Sequence, residues 1–505
     1  MSPWKNWLST VLLALLAQPF SCAAQDDTLD TCRQISDQIS SASSVIYALH
    51  LSFLPEIHHW YLSSSQTPAC VLEVGSAEDT ATALRIIGQS RTPFAIKSGG
   101  HASNPGFSST TGVHISLSRL DQVVLSSDKS SVEIGTGITW ADVYKKLQGS
   151  GYNVVGGRTV GPGVGGFTLG GGYSWKTNQH GLTCDTVKSF NLVLPVSIEM
   201  TLWITSKASY SQIPKNGTIT RVDSSKPDLF FALKGGLNRF GVVTSAEFYT
   251  HEQPDQVYGG LAVYGTDQLP AVLNATTKFD AENTDPKAQI ITTLEGGTTG
   301  TNALVIFFYD GPTRPESFSY FDGLKATIST VKSQTFSDFV AGFPSNIITN
   351  ARGTFHTLST SKLTPTFVEA VRKEADSLGK IMALHSGTSI SYDVEPFLKT
   401  YGEKATDSAF PHGDSPLPLN LYFAWISPAD DAFWYDAMRT SVQKLKDLAI
   451  QEGIYPNGYT AYPNYAITNT TAENLYGADN AARLKSIRSA VDPDGVMSLA
   501  GGFDI

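Results

Sequence analysis

Val154-Val155-Gly156-Gly157-Arg158-Thr159-Val160-Gly161-Pro162-Gly163-Val164-Gly165-Gly166-Phe167-Thr168-Leu169-Gly170-Gly171-Gly172-Tyr173 has too few large side chains to pack a core of its own. Such a stretch either turns tightly or lies against something that side chains would keep away. A second stretch of this kind, Lys97-Ser98-Gly99-Gly100-His101, follows the short apolar run 93–96 and places one imidazole on an otherwise bare turn. Successive backbone N–H groups without side chains form concave nests that hold phosphate. Neither stretch is a Walker A loop, and neither shows G-x-G-x-x-G with an acidic residue about twenty positions on. The residues by themselves leave two readings open: a large phosphate-bearing cofactor between two glycine loops, or turns in a β-rich domain.

Bulk properties narrow the class. A chain of 505 residues is too long for one hydrophobic core, so two or more domains or one large assembly of helices and sheets are expected. The net charge of -10, with no basic run, argues against a nucleic-acid partner. Residues 1–24 carry a lysine near the start, an apolar stretch at 11–17 and small residues before Gln25. That pattern is a secretory signal, too short to span a bilayer, so the mature protein is expected to be secreted, with no membrane segment. Once Cys22 leaves with the signal, three cysteines remain, allowing at most one disulfide. Cys32 and Cys70 flank the N-terminal helical region and are expected to pair, with Cys184 a buried thiol. Asn216, Asn274 and Asn469 open N-glycosylation sequons.

Along the chain, residues 70–96 read strand, helix, strand, with Ser76 as N-cap and Asp79 in the capping-box region. Three further strand candidates and the amphipathic helix "TWADVYKKL" follow. Beyond residue 250, strands such as "ALVIFFYDG" and "PLNLYFAWI" alternate with long amphipathic helices, which predicts a second sheet covered by helices on one face. The fold class is therefore α+β. The expected organisation is a glycine-rich domain at 25–250, a second domain at 251–455, and a C-terminal segment at 456–505 whose helix 472–491 stops before Pro493. Tyr422, Phe423 and Trp425 would either line a pocket or fill the sheet core.

One block does not fit. Without residues 196–215 the text reads "FNLVLPNGTITRV", two strands joined by a Pro-Asn-Gly turn, a strong hairpin signal. The block is therefore either a translated intron or a surface insertion of a kind that loops tolerate.

Four motifs, in order, add a resemblance: "PFAIKSGGHASNPGFS", "VVGGRTVGPGVGGFTLGGGYSWKTNQHGLTCDTV", "PDLFFALKGGLNRFGVVTSAEF", and "YPNYA" followed by "LYGADNAARLKSIRSAVDPDGVMS". In them the chain resembles the berberine-bridge-enzyme-like branch of the FAD-linked oxidases, with a two-part PCMH-type FAD-binding domain and the vanillyl-alcohol-oxidase fold. The resemblance implies FAD attached covalently through its 8α carbon to His101. Thr159 stands where many relatives carry a cysteine that makes a second bond, so a single attachment is expected. It also implies cofactor contacts from Ser98, Gly99, Gly100, Ala102, Gly163, Val164, Gly165, Gly166, Gly170, Gly171, Gly172, Asp185, Val242 and Asn464. Tyr173, Tyr462 and Tyr465 are the implied catalytic tyrosines, one of them needing a neighbouring cation or hydrogen bond to act as base; the sequence does not say which neighbour. His180 stands where many relatives have a tyrosine, and Pro162 falls near the position that governs oxygen access. The implied activity is hydride transfer from a small alcohol, amine or secondary-metabolite substrate to FAD, with molecular oxygen as acceptor giving hydrogen peroxide. Two alternatives are a carbohydrate oxidase and a flavin-binding glycoprotein with little turnover. The expected partners are the substrate and oxygen, the protein a monomer, and no metal site is expected.

Overall fold

The computed structural model describes residues 22–195, 218–343 and 351–505, with side chains from residue 27 onward. Most of the expected leader, the sequon at Asn216 and the block 196–215 lie outside the described residues. No described helix is long and apolar enough to cross a membrane.

Among the described residues, three sheets of four or more strands build the molecule, beside a two-stranded pairing of Tyr152–Asn153 with His251–Glu252. The first holds the strands Ser44–Ile46, Cys70–Glu73, Val113–Ser116 and Phe94–Lys97 in that spatial order. Its last three strands are parallel, as a crossover helix requires. That helix, Ala77–Ser90, begins where Ser76 Oγ accepts from the Asp79 amide at 3.1 Å. The Asp79 carboxylate does not complete a capping box. It accepts instead from Ser40 and Ser43, pinning the segment that precedes the sheet. The Cys32–Cys70 disulfide ties the helix Cys22–Gln38 to the same sheet, and Cys184 is a buried free thiol.

The second sheet is antiparallel, ordered Val123–Leu125, Ser131–Gly135, Val242–Tyr249, Val187–Val193, Ile219–Val222. Val193 pairs with Ile219, and the Leu194 amide donates to Thr218 O at 3.0 Å, so the strands flanking block 196–215 meet as a hairpin.

The third sheet has eight antiparallel strands, among them Val257–Tyr264, Ala288–Gly297, Gly300–Tyr309, Arg352–Thr360, Gly387–Val394 and Leu417–Trp425. The amphipathic helices Leu269–Glu282, Pro365–Ile381 and Asp431–Gln451 cover one face of it. Its period-two pattern divides the aromatics: Phe423 and Trp425 pack against Trp434 in the core, whereas Tyr422 turns to the opposite face. The kinked C-terminal helix Ala472–Val491 returns to the first half of the chain, and Ala500 bridges to Phe94. Cores at the two ends of the chain are therefore shared: Leu475, Tyr476 and Leu484 are buried with Trp140, Phe231 and Phe248.

Candidate active site

A cavity of about 670 Å³ opens between the two glycine loops, the C-terminal segment and the free face of the eight-stranded sheet. This is the size range of a site for a cofactor or drug-sized ligand. The glycine loops pack backbone on backbone. A Cβ on Gly163 would stand 2.2 Å from the Gly99 nitrogen, and a Cβ on Gly99 2.4 Å from the Gly163 nitrogen, so neither position admits a side chain. Ser98 Oγ stitches the loops further, donating to Thr136 O at 2.5 Å and accepting from the Gly165 amide at 3.2 Å.

Of the expected cofactor residues, Ser98, Gly99, Gly100, His101, Ala102, Gly163, Gly165, Gly166, Val242 and Asn464 line the cavity. Among the described residues, no protein group accepts a hydrogen bond from the amides of Gly99, Gly100, His101 or Ala102. Four successive amides on a cavity wall with no protein acceptor suit the anionic pyrophosphate of a dinucleotide. Beside them, Gly166 has open space where a Cβ would project. His101 lies between Trp60, stacked at 4.6 Å, and Phe355 at 6.0 Å. Burial lowers its pKa to about 4, leaving a neutral imidazole with a free lone pair. The residues present therefore fit FAD.

Five expected contacts sit elsewhere. Val164 is core, and Gly170, Gly171 and Gly172 lie behind the wall, close-packed against Asn464, Tyr462 and Thr183. A Cβ on Gly170 would stand 2.0 Å from Asn464 Oδ1. Asp185 is buried away from the cavity. Its carboxylate is consumed by His412 Nε2 and the Leu182 amide, both at 2.8 Å, and by the Thr406 amide and hydroxyl at 2.9 and 2.8 Å. Burial opposes its ionisation, but these partners outweigh it and hold the pKa below the usual value.

The three tyrosines separate by what their hydroxyls touch. The Tyr173 ring contributes to the wall, but its hydroxyl meets Tyr401 Oη at 2.7 Å and donates to Pro416 O at 3.0 Å, which removes it from proton transfer in the cavity. Tyr462 Oη accepts from the Gly172 and Tyr173 amides at 2.9 and 3.3 Å and from Asn464 Nδ2 at 2.9 Å. These bonds fasten the C-terminal segment to the glycine run, and burial raises the Tyr462 pKa to about 12. Tyr465 lines the cavity, and its Oη accepts from Arg158 Nη2 at 2.5 Å and donates to Glu395 Oε1 at 3.3 Å. Arg158 is in turn bidentate to Glu395 at 2.8 and 3.0 Å, with both side chains buried. The cation beside a tyrosine is thus Arg158, from within the glycine run. Burial still holds the Tyr465 hydroxyl well above its ordinary pKa, and Arg158 works against that rise. His180 is off the wall, stacked on His251 at 3.6 Å.

Sequence reasoning offered Tyr422 of this sheet as a pocket residue, and the structure puts it on the wall, but it missed the sheet's carboxylates. Glu295, Asp393 and Glu395 place three carboxylates on the wall, with Asn420 and Tyr422 beside them. Ser389 and Ser391 donate to Glu295, while Thr293 and Asn420 Nδ2 donate to Asp393 at 2.6 and 3.2 Å. Burial is the largest influence on Asp393 and raises its pKa to about 7. The only cue in the sequence was the alternation Ser389, Ser391, Asp393 along one strand.

Comparison with known proteins agrees with this geometry. Residues 68–197 match the FAD binding domain family. The chain is 30% identical over 521 residues to an FAD-dependent monooxygenase of Arthrobotrys oligospora, covering 97% of this chain and 93% of the relative. Among solved structures, 6-hydroxy-D-nicotine oxidase of Arthrobacter nicotinovorans superposes with a TM-score of 0.74 at 19% identity, covering 92% of this chain and 98% of that one. A chitooligosaccharide oxidase superposes with a TM-score of 0.73 at 18% identity, over 95% and 100% of the two chains. Glycine loops that fit a dinucleotide, a full-length relative and a shared fold lead to one assignment: the chain belongs to the FAD-linked oxidoreductases with a PCMH-type FAD-binding domain.

Proposed function

We propose that this protein is a secreted FAD-dependent oxidase acting on a small alcohol, amine or secondary-metabolite molecule. When bound, FAD supplies hydride acceptance, with molecular oxygen as the final acceptor and hydrogen peroxide as product. The observation that carries the reading is the meeting, in one cavity, of the unpartnered amides at 99–102, the neutral His101 imidazole and the Tyr465–Arg158–Glu395 triad. The amides would bind the pyrophosphate. His101, held between Trp60 and Phe355, would take the covalent bond to the flavin's 8α carbon, and Thr159 on the same wall offers no thiol for a second. Tyr465 Oη would hold the substrate's O–H or N–H proton, with Glu395 Oε1 next in line and Arg158 balancing the charge that develops.

Acid precipitation tests the attachment: the wild-type pellet should stay yellow and fluorescent, while His101→Ala should release all flavin to the supernatant. A colourless wild-type pellet removes the covalent bond. Peroxide formed in equal amount to oxygen consumed supports an oxidase. Incorporation of an oxygen atom from labelled O₂ into product would instead support the monooxygenase name that the Arthrobotrys oligospora relative carries.

A further inference from the structure

The wall opposite the glycine loops has more acceptors than donors. Thr293 and Glu295, on the strand Ala288–Gly297, lie beside Asp393 and Ser391 of the strand Gly387–Val394. Asn420 and Tyr422 follow on Leu417–Trp425, facing Asp393 and Ser391. Most donors of the patch are turned on its own carboxylates: Ser389 and Ser391 on Glu295, Thr293 and Asn420 Nδ2 on Asp393, and Arg158 on Glu395. Beyond the Tyr422 hydroxyl, beside Ser391, and the second Nδ2 hydrogen of Asn420, what remains in the patch is acceptor capacity. Asn420 lines the cavity and is only 6% exposed, and among the described residues its buried Oδ1 has no hydrogen-bond partner. A buried amide oxygen left unpaired is costly, and a carboxylate retains lone pairs after two donors have been received. The missing group is therefore a donor.

The chemistry of the ligand follows. A sugar hydroxyl brings one donor and two acceptors, and its acceptors would find few free donors here. An ammonium brings donors only, together with the positive charge that buried carboxylates need. Aromatic faces stand alongside, with Phe355 6.2 Å from Tyr422 and 6.4 Å from Tyr465, as suits an organic cation. We infer that Glu295, Asp393 and Asn420 form a subsite for a protonated amine on the substrate. This deepens the oxidase reading of the same cavity and rests on it for the identity of the ligand as substrate. The raised pKa of Asp393, about 7 in the absence of a cation, is consistent with a carboxylate whose counter-ion arrives with the ligand.

The test compares 2-phenyl-2-propylamine, as its hydrochloride, with 2-phenyl-2-propanol and cellobiose, by titration calorimetry on the flavin-loaded protein near neutral pH. The first two match in shape and carry no hydrogen on the carbon bearing the heteroatom, so binding is read without turnover. The ammonium should bind at least about tenfold more tightly than the alcohol, the value of one good hydrogen bond to a charged group. Asp393→Asn and Glu295→Gln should each lower that preference severalfold while leaving alcohol binding in place, which shows that the cavity is intact. Should Asp393→Asn fail to fold, Glu295→Gln and Asn420→Ser carry the same expectation. Equal affinity for the two phenylpropyl probes, tightest binding of cellobiose, or a preference untouched by the variants would overturn the subsite. The visible flavin absorption of the protein reports separately: colourless protein sinks the oxidase reading, whereas yellow protein without ammonium preference sinks only the subsite.

Discussion

Arg158→Met tests the central coupling of the site. Arg158 leaves the glycine run and meets Glu395 just beyond the strand Gly387–Val394, 237 residues later, through two hydrogen bonds of 2.8 and 3.0 Å. The side chains are 8% and 1% exposed, so the bridge is screened little by water or salt. Removing the guanidinium leaves the Glu395 carboxylate uncompensated in a dry wall, and breaking a buried pair from one side costs about 3–5 kcal/mol. At about 2 cal/mol/K of unfolding entropy per residue, a chain of 505 residues shifts its melting temperature by about 1 °C per kcal/mol, so Arg158→Met should fall by about 3–5 °C. The double variant Arg158→Met/Glu395→Met removes both charges and keeps apolar volume beside Phe397 and Trp175, so it should recover most of the loss. Differential scanning calorimetry of wild type, both single variants and the double variant gives the coupling. A double variant as unstable as the sum of the singles would refute the claim that these two charges hold each other in the wall.

Two other expectations follow from the same structure. Asp393 has its pKa raised from 3.8 to about 7 by burial, so the folded state favours its neutral form. The stability this contributes is complete below pH about 4 and is lost as pH rises through about 7. The melting temperature of Asp393→Asn relative to wild type should therefore climb between those limits and level off above them; a pH-independent difference in thermal scans would contradict it. Deleting residues 196–215 leaves Pro195-Asn216-Gly217 between Leu194 and Thr218, whose backbones already hydrogen-bond. The shortened protein should match the full chain in melting temperature and flavin content, and its loss of flavin would show that the block belongs to the working protein.

Features governed by neighbouring residues were legible in the sequence. The cap at Ser76, the helix Ala472–Val491 with its stop before Pro493 and the hairpin flanks around block 196–215 each follow from a few adjacent residues, and the structure forms them. The glycine loops were legible for the same reason, since the absence of side chains is itself a local signal of close approach. Asp185 was not. It follows a glycine-rich run, as a cofactor contact does, but Thr406 and His412 arrive from more than 220 residues away and consume its oxygens. Tyr173 misled similarly, because the closure of its hydroxyl by Tyr401 and Pro416 depends on a loop in the other half of the chain.

The acidic wall shows why the substrate side is harder to read than the cofactor side. Along Gly387–Val394, Ile390, Tyr392 and Val394 point into the core while Ser389, Ser391 and Asp393 point the other way. A strand with one face in water has the same alternation, because period two records only that the faces differ. Whether the polar face meets solvent or a cavity depends on what stands opposite. Here that is decided by the glycine loops and the C-terminal segment carrying Tyr462, Asn464 and Tyr465, none of them adjacent in sequence. Even with the strand assigned, its role required the register that sets Thr293 beside Asp393 and Asp393 beside Asn420. That register turns three ordinary polar residues into one acceptor-rich patch. A polar alternation opposite a glycine-lined cofactor loop is therefore better read as a candidate substrate wall than as a solvated edge, and the ammonium preference measured with Asp393→Asn tests that rule on this chain.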